Sequence, residues 1–73
     1  MSLQIQLNGE PREVADGLTV EDLIVSLALE PSRVAFELNR SVVRRKDWSQ
    51  TTLHDGDRVE IVHFVGGGSQ PRR

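Results

Sequence analysis

The stretch HDGDRVEIVHFVGGG, residues 54–68, decides how the chain folds. Asp55 and Gly56 supply a turn, and RVEIVHFV then follows as a strand-like run rich in β-branched residues. Its dense apolar content predicts a central place in a sheet. The run gives way to Gly66, Gly67 and Gly68. Consecutive glycines cannot hold a strand, because each loses the most backbone entropy on ordering and offers no side chain to pack. The expected organisation is therefore one domain over residues 1–65 and a flexible glycine-containing tail over residues 66–73. Such a tail is either an inert linker or a peptide built to be threaded somewhere narrow, and the rest of the chain has to decide.

Working outward, Leu3, Ile5 and Leu7 alternate with Gln4 and Gln6, the period of a strand with one buried face. Asn8-Gly9 then turns the chain, since both residues tolerate positive φ, and Glu10 to Val14 should return antiparallel. Pro11 is acceptable there if that strand lies at an edge. In TVEDLIVSLAL, residues 19–29, Thr19 can accept from the Asp22 amide, and Val20, Leu23, Ile24 and Leu27 fall at helical spacing. A short amphipathic helix near Val20 to Ala28 follows, ended by Pro31. VAFELN alternates again, with Val34, Phe36 and Leu38 on one face, and Asn39 offers a turn before the apolar pair Val42 and Val43. Residues 44–52 are polar apart from Trp48 and read as a loop with one helical turn, Trp48 closing the edge of the core.

The order is hairpin, helix, two short strands, loop, final strand. One helix must bury its apolar stripe against one face of a small sheet, since neither layer hides its apolar side alone. The fold class is α+β, a β-grasp (ubiquitin-like) domain with a mixed sheet of four to five strands packed on one helix. The helical crossover sets the first and last strands side by side in parallel.

Composition narrows the function classes. Seventy-three residues make one small domain, and without cysteine there is no disulfide framework, thiolate metal site or nucleophilic thiol. The start, MSLQIQLNGE, has no basic segment followed by a long apolar one, and no run approaches a membrane span. A soluble, cytoplasmic protein is expected. A net charge of -2 with 27% charged residues indicates neither nucleic acid nor membrane as partner. Arg44, Arg45 and Lys46 form a basic run of the length usual for a solvated loop, with no aromatic platform for bases. His54 and His63 stand alone, without a catalytic or metal-binding constellation, and no metal site is assigned.

LNGEPREV, TVEDLIVSLAL, VAFELNRSVV and WSQTTLHDGDRVEIVHFVGGG together cover nearly the whole domain, and in them the chain resembles the ThiS family, the sulfur carrier proteins of thiamin biosynthesis. DGDRVEIVHFVGGG is the most specific part, combining turn, last strand and glycines at the family's spacing. The small subunit of molybdopterin synthase, of the MoaD type, is similar in fold and tail, but it tends to be longer, with a proline in its approach to the glycines. The resemblance implies a protein cosubstrate rather than an enzyme. In the family an E1-like, ThiF-like activating enzyme uses ATP and magnesium to turn the last glycine's carboxylate into an acyl adenylate. A persulfide then delivers sulfur to give a thiocarboxylate, which is handed to a ThiG-like thiazole synthase. The carrier itself binds no cofactor. Carried onto this chain, the acyl position is Gly68, and Phe64, Val65, Gly66 and Gly67 contact the partners. Val62, Phe64 and Val65 are either core or part of an apolar docking patch.

One departure from the family is plain. Its members normally end at the glycine corresponding to Gly68, whereas this chain continues through Ser69, Gln70, Pro71, Arg72 and Arg73. An amide-bonded Gly68 has no carboxylate to adenylate. A protease removes the five residues, as a metalloprotease does for some related carriers, or they are a cloning scar, or the chain is not a carrier. The competing use of the same fold and tail is a ubiquitin-like protein modifier joined to lysines.

Overall fold

The computed structural model describes residues 2–64. Strands β1 (Ser2–Leu7) and β2 (Glu10–Ala15) form a hairpin paired from Ser2 with Ala15 to Leu7 with Glu10. Asn8 at φ 50° and Gly9 at φ 85° make its two-residue turn, the twist that matches the flanking strands. Helix α1 (Val20–Ser26) follows, then a 3₁₀ turn (Pro31–Arg33), β3 (Val34–Leu38), β4 (Ser41–Val42), a second 3₁₀ segment (Arg45–Gln50) and β5 (Arg58–His63). The sheet order β2-β1-β5-β3-β4 puts β5 at the centre, parallel to β1 and antiparallel to β3. This is the β-grasp arrangement, and Pro11 lies on an edge strand that does not need its missing N–H.

The helix starts as its residues dictate. The Thr19 hydroxyl accepts from the Asp22 amide and the Asp22 carboxylate accepts from the Thr19 amide, both at 3.1 Å, a complete capping box. Its end differs from the expected Ala28. Helical structure stops at Ser26, and Ala28 turns left-handed at φ 59° while its amide donates to the Val25 carbonyl and that of Leu29 to Ile24. That bond pair closes the last turn in the geometry glycine usually provides. Pro31 opens the following 3₁₀ turn rather than ending the helix.

Val20, Leu23 and Ile24 from α1 meet Ile5, Val14, Val34, Phe36 and Val59 from the sheet, with Trp48 and Leu53 closing the side. Trp48 is buried and donates from Nε1 to the Val43 carbonyl at 2.9 Å, its ring tilted against Phe36. The segment carrying it makes two 3₁₀ turns where one helical turn was expected. Of the apolar pair after Asn39, Val43 packs on the core, but Val42 faces solvent.

Candidate functional site at the root of the glycine tail

The strand that leads into the glycines is held from both sides. Antiparallel pairing with β3 engages the even-numbered residues of β5, and the Phe64 amide extends the ladder by donating to the Arg33 carbonyl at 2.8 Å. The odd-numbered residues face β1, which ends at Leu7, opposite Val59. Beyond that point the Asn8 amide donates to the Val59 carbonyl at 2.8 Å. The Asn8 side chain then accepts from the Ile61 amide at 2.8 Å and donates to its carbonyl at 3.3 Å. One side-chain amide thus takes the place of a missing strand residue. At the other end of β5, Asn39 does similar work, its Oδ1 accepting from the Arg58 amide at 2.9 Å and its Nδ2 donating to Asp57.

Residues directly opposite on paired strands project to the same face. The face of the sheet away from α1 therefore carries Val62 beside Ala35, and Glu60 beside Glu37, with Val42 on the far side of Glu37. Phe64 continues this side of β5. Val42, Val62 and Phe64 are 67%, 53% and 45% exposed, which makes them large apolar side chains left outside the core. Val62 and Phe64 thus answer the choice between core and patch in favour of an exposed apolar strip. Val65, Gly66, Gly67 and Gly68, together with the tail through residue 73, lie outside the described residues.

Among the described residues no group of three or more His, Cys, Asp and Glu side chains is placed to hold a metal, and every buried side-chain polar atom has a partner. His54 and His63 are both exposed. A polar cavity of about 270 Å³ is lined by Asn39, Arg40, Gly56 and Arg58. It opens at the start of β5, roughly 20 Å of strand from the root of the tail. Ala35, Glu37 and Glu60 went unnamed as site residues in the sequence reading. The signal for them is their position out of phase with the core residues Phe36 and Val59.

The sequence model of the ThiS family matches residues 5–68. The sulfur carrier protein ThiS of Bacillus subtilis is 40% identical over 65 residues, covering 88% of this chain and 98% of that protein. A protein of Magnetococcus marinus named thiazole synthase is 42% identical over 69 residues, covering 94% of this chain. The chain spans about a fifth of the length of that protein and of a second thiazole synthase, from Paramagnetospirillum magneticum. The crystal structure of the thiamine biosynthesis protein ThiS from Geobacter metallireducens superposes with a TM-score of 0.78 at 38% identity, covering 90% of this chain and all of that one.

Proposed function

The chain belongs to the ThiS family, and from that premise we propose that it carries sulfur for thiamin biosynthesis on the carboxyl group of Gly68. The observation that carries this reading is the extent of the family match, which runs through all three glycines and stops at residue 68. A ThiF-like enzyme adenylates that carboxyl with ATP and magnesium, releasing pyrophosphate. The outer sulfur of a persulfide displaces AMP to give an acyl disulfide. A thiol then reduces its S–S bond, forming a disulfide with the donor and freeing the thiocarboxylate that passes to thiazole synthase. Support for that acceptor comes from relatives named thiazole synthase that contain a stretch like this chain within a protein about five times as long.

The chain's own share of the chemistry is small. Glycines let the acyl carbon enter a closed site with no Cβ beside it, and closure keeps water from the adenylate. Phe64 and Val62 give the partner an apolar surface next to that entry, while positioning and charge stabilisation belong to the partner. The protein acts as a cosubstrate. Hydrolysis of the Gly68–Ser69 peptide bond by a protease comes first, since a Gly68 joined to Ser69 by an amide has no carboxyl to adenylate. Intact-mass measurement on protein from its native source tests this. A population ending at Gly68 is expected, and a chain that keeps Ser69 to Arg73 in every molecule contradicts it.

A further inference from the structure

The apolar strip at the root of the tail contains a charge pattern that the fold itself does not use. Glu37 and Glu60 sit directly opposite on neighbouring antiparallel strands, between the Val62–Ala35 row and the turn at Asn39. Like charges in that relation work against the sheet. Among the described residues neither carboxylate has a cation within ion-pairing distance, the ion pair present being Lys46 with Asp47. Arg58, one row away on the same face, lines the cavity with Arg40. A locally unfavourable pair without a gain inside the domain points to a gain on binding.

We propose that this face docks a protein surface that presents an arginine or lysine between apolar groups. The cation seats between Glu37 and Glu60 while the apolar groups cover Val62, Ala35 and Phe64. This rests on the carrier reading and adds the chemistry of the partner's docking face. A second copy of this chain does not fit, because a twofold contact through the face sets four carboxylates together. The location suits an enzyme that works on the tail: Phe64 precedes Gly68 by four residues, a reach of about 14 Å when extended.

The test uses Glu37→Gln and Glu60→Gln, singly and combined, in the full chain. Each form is titrated by calorimetry against the cognate adenylating enzyme and against thiazole synthase at several salt concentrations, and its urea midpoint is measured alone. The double variant should unfold at a higher urea concentration, yet bind at least one of the two enzymes about tenfold more weakly, with a flatter salt dependence. Opposite signs for stability and affinity are what a purely structural role does not produce. Wild-type binding that the double variant reproduces in strength and salt dependence overturns this inference and leaves the carrier reading standing. A wild-type chain that binds neither enzyme, both at full length and in the form ending at Gly68, removes the carrier reading, and this inference with it. Self-association through the face, lost in Val62→Asp, also overturns it.

Discussion

The side-chain amide of Asn8 pairs with both backbone groups of Ile61, accepting from its N–H at 2.8 Å and donating to its carbonyl at 3.3 Å. Asn8 is also the first residue of the hairpin turn, at φ 50°. One residue therefore serves two elements: it reverses the chain after β1 and supports the half of β5 that β1 does not reach. Replacing it with glycine keeps the turn conformation and removes the amide. Asn8→Gly should cost about 1–2 kcal/mol in urea unfolding, the scale of two partly exposed hydrogen bonds. Asn8→Ala should cost more, because it adds the left-handed backbone penalty. A neutral Asn8→Gly would leave the side chain no part in holding β5.

Leu23 is 1% exposed between α1 and the sheet. Truncation removes its methyl groups and leaves a cavity that a small core cannot fully collapse, so Leu23→Ala should lose about 2–5 kcal/mol. A loss within about 0.5 kcal/mol, typical of surface sites, contradicts the helix register.

Ala28 closes the helix at φ 59°, where a Cβ is strained and glycine is not. Ala28→Gly should therefore raise stability by about 0.5–1 kcal/mol, the relief being partly offset by the greater freedom of glycine in the unfolded chain. Destabilisation would mean that the Ala28 methyl contributes packing larger than the strain.

Phe64 is 45% exposed and stands outside the buried core. Phe64→Ala should change folding stability by less than about 1 kcal/mol. The same substitution should weaken association with the activating enzyme by about tenfold or more, because exposed aromatics at interface centres carry much of the binding energy. Equal affinity for variant and wild type would place the docking surface elsewhere.

Much of this fold is written in short-range pattern. The alternation of Leu3, Ile5 and Leu7, the Asn8-Gly9 turn and the Thr19–Asp22 capping box each depend on neighbours within a few residues. The end of α1 was less legible, because an alanine adopts the left-handed position and Pro31 was the nearest sequence stop signal. Leu53 was missed for a related reason. It is buried at 1%, but it lies in no regular strand, and its amide is satisfied by the Leu18 carbonyl, a partner set by tertiary contact. At the candidate site, Val62 and Phe64 could be named from their place before the glycines. Glu37 and Glu60 could not, since their juxtaposition depends on the register between two strands separated by all the chain from Asn39 to Asp57.

The central claim is that the carboxyl of Gly68 is the group that carries sulfur. Two forms decide it, the full chain and one ending at Gly68, each incubated with the activating enzyme, ATP, magnesium and a sulfur donor and then weighed intact. Replacing one carboxyl oxygen with sulfur adds about 16 Da at the acyl position. The account predicts that gain on the form ending at Gly68 alone, and its loss when Gly68 is replaced by a bulkier residue. Sulfur gained by the unprocessed chain contradicts the assignment of Gly68. A trimmed chain that never gains sulfur but becomes joined to lysines contradicts the carrier function itself.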